Sequence, residues 1–488
     1  MMQPRDEQPG RLMHLGALID DLSDAGFPAQ LRGPDGEGST LVANVEIIDV
    51  EHDSRSVRPG SLFCAVRGAS VDGHDFTEAA TAQGATALLV EQWTHATVPQ
   101  LLVSNTRQAM ATAAASVHRH PSNDLAVFGI TGTNGKTTTT QMLASVLDAA
   151  GTSVEVIGTL SGAHTTPEST AWQRQLRAAA NKGIDVVVAE ISSHALHQHR
   201  VDATSFAVAA FSNLTPDHLD YHETMDAYFD AKQVLFDGRA VNELINVDDA
   251  YGARLAATRP EAAHVSLRDV EITSSGLSHS TFSWRSESIR LRLGGEMNVA
   301  NALMAAESAL LLGCSEVDVR QGLESIASVP GRMQVVDGPA GADVEVVVDY
   351  SHTPDSIERA LATIRATSDA AQVWIVFGCG GDRDRSKRPL MGAAAEAGAD
   401  RVVVTSDNPR SEDPAAIIAE CLVGMQRPER AIVDSDRRSA IETAVRDAGA
   451  GDVILVAGKG HERTQTIGDQ QLPFDDVEVA REMLEARQ

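Results

Sequence analysis

Thr131-Gly132-Thr133-Asn134-Gly135-Lys136-Thr137-Thr138 is the stretch on which the reading of this chain turns. An apolar run at 125–131 precedes it. A helical pattern at 137–150 follows, with Met142, Leu143, Val146 and Leu147 on one face and Gly151 placed to end it. Strand, glycine turn, Lys-Thr and helix, in that order, make a phosphate loop. The glycines let backbone N–H groups converge on phosphate oxygens, and the helix N-terminus adds partial positive charge. In that reading Lys136 reaches the β- and γ-phosphates and the Thr137 hydroxyl binds Mg2+. Ile130 stands where the strict G-x-x-x-x-G-K-[ST] pattern has its first glycine, so a glycine turn without a ligand is the competing reading.

Outward from the loop, strand and helix patterns alternate. Apolar runs at 154–157, 185–191 and 206–211 predict a parallel sheet covered by helices, and 298–313 predicts a helix stopped by Gly313. After Pro330-Gly331 the alternation restarts, with strands expected at 344–350, 373–377, 401–405, 431–434 and 452–457. This is a second doubly wound unit, whose ligands belong at the carboxyl ends of its strands. The polar clusters Asp349-Tyr350-Ser351-His352, 378–383, 406–410 and 458–462 fall there. Upstream, 42–50 and 85–91 read as strands, 33–39 as a loop and 109–118 as a helix, with Pro121-Ser122-Asn123 as a boundary. The expected architecture is α/β in three domains, at 1–124, 125–330 and 331–488.

The chain has 488 residues, 43 % of them hydrophobic, enough for several cores. Its formal net charge of −28 argues against nucleic acid or an anionic membrane as partner. No apolar run is long enough to span a bilayer, and residues 1–10 lack the pattern of a secretory signal, so a cytoplasmic protein is expected. Cys64, Cys314, Cys379 and Cys421 have no metal or disulfide spacing. Of the 40 basic side chains only five are lysine: Lys136, Lys182, Lys232, Lys387 and Lys459. A lysine that persists among arginines marks a place where arginine fails to do the chemistry, or marks nothing.

Two further strand ends carry metal-ligand chemistry. Glu190-Ile191-Ser192-Ser193-His194 ends one apolar run, and a carboxylate beside a phosphate loop can hold Mg2+ directly or through water. Asn213-Leu214-Thr215-Pro216-Asp217-His218-Leu219-Asp220 ends the next, followed by Tyr228-Phe229-Asp230-Ala231-Lys232.

Taken in order, these segments resemble the Mur ligases, and within them the MurE type. The resemblance runs from about Asp53 to Arg481. Its motifs are Asp53-Ser54-Arg55, the phosphate loop, Thr165-Thr166-Pro167, 190–194, 217–220, Ala231-Lys232, Gly331-Arg332, 348–354, 378–391, 407–410 and 458–462. It implies a uridine-nucleotide domain, a central ATPase and a Rossmann-like domain that brings an amino acid. The implied reaction phosphorylates the γ-carboxylate of D-glutamate in UDP-N-acetylmuramoyl-L-alanyl-D-glutamate with ATP. An amine then attacks the acyl phosphate. A free carboxylate is a poor acyl donor, and phosphorylation supplies the leaving group. Both reacting partners are anionic, so Mg2+ and Lys136 are needed to bring them together.

By the same resemblance Thr137, Glu190, His218 and a Lys232 carbamate derived from CO2 serve magnesium, a role closed to arginine, which stays protonated. ATP contacts fall to Gly132, Thr133, Asn134, Gly135, Lys136, Thr137, Thr138, Asn301, Arg332 and Asp349. Substrate contacts fall to His52, Ser54, Ala69, Ser70, Val71, Thr165, Thr166, Ser192, Gln198 and Arg200.

Arg383, Asp407, Asn408, Pro409, Arg410, Gly458 and Glu462 form the implied amino-acid pocket. Asp407-Asn408-Pro409-Arg410 matches the ligases that select meso-2,6-diaminopimelate; its far end carries a carboxylate that Arg410 and Arg383 can clamp, while Glu462 takes the ammonium. Facing lysine alone, the arginines would repel it. The expected partners are therefore the UDP-linked dipeptide, ATP and meso-diaminopimelate, used by a monomer without nucleic acid or membrane insertion. Ligation of L-lysine or another amino acid, a non-catalytic nucleotide-binding protein on the same scaffold, and a phosphate-loop kinase are the other readings. The sequence departs from the family pattern in its short 161–164 segment, in Ser351, in Glu296-Met297-Asn298 and in Arg463-Thr464.

Overall fold

The apolar runs that flank the glycine turn form the strand Ala126–Thr131 and the helix Lys136–Ala149. The structure is a computed structural model and describes residues 13–34, 40–68, 71–162 and 164–487. Two compact units are interleaved along the chain. One comprises residues 1–129, 153–209 and 231–241, the other 130–152, 210–230 and 242–488. No described helix is long and apolar enough to cross a membrane.

In the first unit the five-stranded sheet runs in the order Gln30–Arg32, Gln100–Leu102, Ala85–Val90, Ser61–Cys64, Asp49–Glu51. Its first pair is antiparallel and the rest parallel. The helices Leu15–Asp24 and Thr106–Val117 press Leu15, Leu18, Leu22, Met110 and Ala113 onto it. The single strand expected at 42–50 is broken: Thr40–Ala43 is a helical turn, and only Glu46–Ile47 and Asp49–Glu51 are extended. Val42 and Val45 reach the core from that turn, closed by Val45 N–H on the Val42 carbonyl, so burial is satisfied without a straight strand. The same unit holds Val154–Ile157 and Val186–Glu190, paired parallel in register from Val154↔Val186. In the second unit Ala240–Asn246 pairs in parallel with Ala263–Val265, in register from Leu244↔Ala263.

The second unit contains a three-stranded antiparallel sheet, Glu271–Ser275, Ser280–Trp284 and Glu287–Leu291, that was not expected from the sequence. Its buried side chains Phe282, Trp284, Ile289 and Leu291 alternate with period two. The C-terminal sheet has six strands in the order Gln334–Val335, Glu345–Asp349, Val453–Ala457, Val373–Phe377, Arg401–Val404, Ile432–Val433. All are parallel except the first. Alternation decides which face each side chain takes. Val373, Ile375 and Phe377 join one core with the helices Pro354–Thr367, Lys387–Gly398 and Pro414–Val423. Trp374 and Val376 join the opposite core with Arg437–Asp447 and Asp476–Ala486. Because Val453–Ala457 lies between Glu345–Asp349 and Val373–Phe377, the loops after all three strands open on one edge, at the switch in strand order.

The phosphate-loop helix is held from behind by the helix Glu316–Ser325, where Gly322 approaches the Val146 backbone so closely that a Cβ would collide with Val146 Cα. Gly322→Ala is expected to lower stability by about 1–3 kcal/mol through overpacking against backbone that cannot yield, read as a lower urea midpoint at unchanged m-value.

Candidate functional site

In the second unit the glycine turn is tight because two glycines adopt positive φ, Gly132 at 146° and Gly135 at 88°. A side chain at either would collide, with Ser212 Oγ at Gly132 and with Asn301 Oδ1 at Gly135. Asn301 is thereby brought against the loop. Asn213, quoted in the sequence reading but given no role there, supports the turn: its carbonyl and Oδ1 accept from Thr133 N–H and Asn134 N–H, each at 2.9 Å, and its amide donates to the Asn134 carbonyl at 3.0 Å. Tyr228 adds its hydroxyl, 3.2 Å from Thr133 Oγ1. The Lys136 ammonium donates to the Gly132 and Thr133 carbonyls at 2.8 and 2.9 Å, lying along the loop. The Thr137 and Thr138 side chains are buried, and Thr137 Oγ1 accepts from Arg332 at 3.1 Å. Arg332 in turn covers the Tyr350 ring at 4.4 Å. Asp349 accepts from Met333 N–H at 2.7 Å and from the Ser351 hydroxyl, so it braces the turn that carries Arg332.

His218 sits in the left-handed region, at φ 54°, with Nε2 3.5 Å from Asp217. Burial alone would raise the Asp217 carboxyl, but His218, His352 and Lys387 together hold it below the ordinary value. Burial and Lys387 keep His352 toward its neutral form, with Nδ1 2.8 Å from the Tyr350 carbonyl. Lys387 and Asp217, neither given a role by the sequence reading, thus belong to this charged group.

In the first unit Glu190 ends its strand 1 % exposed, and Thr159 donates to its two carboxylate oxygens, from N–H at 2.9 Å and from Oγ1 at 3.1 Å. Thr165 meets Thr159 at 3.1 Å, and Thr166 donates to the Glu190 carbonyl at 2.8 Å and accepts from Ser192 N–H at 3.0 Å. Arg200 donates to the Thr166 carbonyl at 3.0 Å and to Gln198 at 2.8 Å, and pairs with Glu168 at 2.8 Å. Thr165, Thr166, Ser192, Gln198 and Arg200 are therefore one connected group at one strand end. His52 lies 3.4 Å from Thr170 Oγ1, and burial lowers its pKa. Ser54 is half-buried beside the Asp53–Arg55 pair, and Val71 is exposed. Ala69 and Ser70, like Ala163 in the short segment and most of the 33–39 loop, lie outside the described residues. Lys232 is 1 % exposed, among the largest fully buried side chains.

Among the described residues no three His, Cys, Asp or Glu side chains converge as a metal cage. Mg2+ does not require one: it keeps several waters and is bound by one or two carboxylates with substrate phosphates.

The amino-acid cluster lies wholly in the second unit, on the open edge of the C-terminal sheet. Asn408 Nδ2 donates to Glu462 at 2.7 Å. Arg410 takes φ 50°, and its backbone exchanges hydrogen bonds with Thr466 and Gly468 of the hairpin formed by Thr464–Ile467 and Gln470–Pro473. Its guanidinium donates to the Gly381 carbonyl at 2.6 Å. Arg383 is exposed and its guanidinium makes no hydrogen bond or ion pair among the described residues. Pro409 packs its carbonyl against Gly381, and Gly458, at φ 112°, leaves room for the Asp407 carboxylate, whose pKa burial raises. Arg388 ties the two loops together: fully buried, it holds Glu412 at 2.8 Å, Glu420 at 2.8 Å and the Gly380 carbonyl at 3.2 Å.

Three family descriptions match in order along the chain: Mur ligase family, catalytic domain, over residues 46–122; Mur ligase middle domain over 130–309; and Mur ligase, glutamate ligase domain, over 331–460. The chain is 41 % identical over 477 residues to the UDP-N-acetylmuramoyl-L-alanyl-D-glutamate–2,6-diaminopimelate ligase of Geobacillus thermodenitrificans, spanning 91 % of this chain and 96 % of that one. A solved structure carrying the same ligase name aligns with TM-score 0.65 and 30 % identity over 98 % of this chain and 99 % of its own. The ADP complex of the MurF ligase from Thermotoga maritima, at TM-score 0.61 and 18 % identity over 92 % and 99 %, shares the fold.

The Arg388 guanidinium, joined by Asp382 N–H, holds the Glu412 carboxyl down at about 2, against an ordinary 4.5. This clamp is at full strength above pH 4.5 and is lost as pH falls from there through about 2. The stability difference between the native protein and Glu412→Gln should accordingly be largest near neutrality and vanish toward pH 2, read from urea midpoints across that range.

Proposed function

This chain belongs to the Mur ligase family, and from that premise we propose that it joins meso-2,6-diaminopimelate to UDP-N-acetylmuramoyl-L-alanyl-D-glutamate at the expense of ATP, a step of peptidoglycan precursor synthesis. The observation that carries the choice of amino acid is the cluster on the C-terminal sheet edge. Arg383 makes no hydrogen bond or ion pair among the described residues, Arg410 is fixed on the Gly381 carbonyl, and Glu462 is linked to Asn408. A carboxylate and an ammonium on the same carbon answer that pattern of charges, and the lone ammonium of lysine answers only half of it.

The proposed division of labour follows three domains, 1–124, 125–330 and 331–488. The loop from Gly132 to Thr138 holds the phosphates of ATP through its N–H groups and the Lys136 ammonium, with Asn301, Arg332 and Asp349 on the nucleoside side. His52, Ser54, Ala69, Ser70, Val71, Thr165, Thr166, Ser192, Gln198 and Arg200 hold the UDP-linked dipeptide. Its γ-carboxylate oxygen attacks the γ-phosphorus and displaces ADP. The amine of the incoming amino acid then attacks the acyl carbon, phosphate leaves, and the amine gives up a proton. Thr137, Glu190, His218 and carbamylated Lys232 would hold Mg2+, which supplies charge neutralisation between the anionic partners. Lys136 places a fixed positive charge where the transferring phosphoryl group develops negative charge. Carbamylation adds CO2 to the neutral Lys232 amine with loss of one proton, so that the side chain ends in an anion. One chain supplies every residue named, so the proposal is for a monomer, acting in the cytoplasm where ATP and the UDP-linked substrate are used.

Purified protein, supplied with ATP, Mg2+ and the UDP-linked dipeptide, should form the amide with meso-diaminopimelate and far less with L-lysine in a parallel assay; preference for lysine overturns this reading. Arg410→Ala should raise the KM for diaminopimelate by about 10–100-fold, as expected for a lost charged hydrogen-bond pair, with the KM for ATP unmoved. Enzyme depleted of CO2 and bicarbonate should lose activity and regain it on adding bicarbonate, while full activity with mass-spectrometrically unmodified Lys232 would remove the carbamate from the scheme.

A further inference from the structure

Lys459 has no part in the reaction just described, yet it is a fully enclosed cation at the amino-acid cluster. Its side chain is 0 % exposed, whereas that of its partner Glu462 is 33 % exposed. An ammonium taken out of water is tolerated only where its donors are met. It carries three N–H donors and finds three acceptors: the Thr464 carbonyl at 2.6 Å, Glu462 Oε2 at 3.1 Å and Asn408 Oδ1 at 3.3 Å.

Each bond constrains a pocket residue. Asn408 Oδ1 also accepts from Thr466 N–H at 2.9 Å. With two donors on Oδ1, the amide has one orientation, and Nδ2 points to Glu462 Oε2 at 2.7 Å. Glu462 Oε2 is thus taken by Lys459 and Asn408 together, while the side chain as a whole stays 33 % exposed. Charge matters as well as direction. The buried ammonium balances the Glu462 carboxylate, and the exposed Arg383 and the Arg410 guanidinium at the Gly381 carbonyl add two further positive charges to the cluster. A far end bearing only an ammonium then meets a surface of its own sign.

We infer that Lys459 is a positioning and specificity-determining residue: its enclosed ammonium orients Asn408 and Glu462 and balances the Glu462 charge, so that a ligand must bring a carboxylate together with its ammonium. The inference rests on the diaminopimelate reading above and adds a residue that never touches the ligand. Removing the charge while keeping the chain length, as in Lys459→Met, takes one of the two donors from Asn408 Oδ1 and leaves Glu462 unbalanced.

The test is steady-state amide formation by the full-length protein and its variants, varying meso-diaminopimelate, L-lysine, ATP and the UDP-linked dipeptide in turn. In Lys459→Met the KM for diaminopimelate should rise about 10-fold or more, and the ratio of kcat/KM for diaminopimelate over lysine should fall by a similar factor, with the other two KM values within about twofold. Lys459→Arg, which keeps the charge, should retain more of that ratio than Lys459→Met. If the methionine variant does not accumulate as folded protein, Lys459→Gln removes the same charge and carries the same readout. An unchanged diaminopimelate KM and selectivity would overturn the inference, as would a joint rise of all KM values with a lowered unfolding midpoint, the mark of a merely structural lysine. Failure of the unaltered protein to use diaminopimelate is a different result and overturns the functional reading itself.

Discussion

A buried guanidinium organises the edge of the C-terminal sheet. Arg437 and Asp476 are both 0 % exposed and paired at 2.7 Å. Arg437 also donates to the carbonyls of Ser406 at 3.2 Å and Ala457 at 2.9 Å. Those two carbonyls close strands that are not neighbours in the sheet, and directly after them come Asp407 and Gly458. A parallel sheet ends in carbonyls without strand partners, and a planar five-donor cation can satisfy two ends and a carboxylate at once. Breaking such a pair would strand a charge in the interior, which is far more destabilising than losing a surface pair. The loops that carry the amino-acid cluster are therefore anchored at their roots before any ligand is considered.

The same device recurs at the other margins of that cluster. Arg388, also without exposure, spans from Glu412 and Glu420 to the Gly380 carbonyl, and Lys459 spans from Glu462 to the Thr464 carbonyl. Three enclosed cations each take a backbone carbonyl and a carboxylate, and the exposed Arg383 is left with its fork unengaged. Rigidity behind and free donors in front is the arrangement a selective polar site requires, because a group already oriented loses little freedom when the ligand arrives. In the first unit the group around Glu190 follows a related logic with neutral donors: Thr159 fixes the carboxylate, Thr166 fixes the strand end, and Arg200 is held against Glu168.

Much of this was legible from local pattern. The strand, glycine turn and helix around Gly132 read correctly because a glycine turn between strand and helix is a short-range signal, and the positive φ of Gly132 and Gly135 is what glycine permits. The strands at 206–211 and 373–377 read to the residue because both are bounded apolar runs buried along their length. The 42–50 region misled because apolar side chains can reach a core from a turn as well as from a strand. The antiparallel sheet from Glu271 to Leu291 was overlooked although Phe282, Trp284, Ile289 and Leu291 alternate; one face is exposed, so the pattern is diluted by polar residues.

By itself the sequence determined the fold class, the strand–turn–helix around the glycine loop and the family, because each depends on residues adjacent in the chain or on motifs in fixed order. The tertiary structure alone decided which of them work together. Lys459 and Lys387 were equal as lysines inside motifs, and only strand order separates them. Placing Val453–Ala457 between Glu345–Asp349 and Val373–Phe377 sets Lys459 behind Asn408 and Glu462, while Lys387 acts on Asp217 and His352. Burial and hydrogen bonding between residues tens or hundreds of positions apart are properties of the packed chain, and no local pattern encodes them.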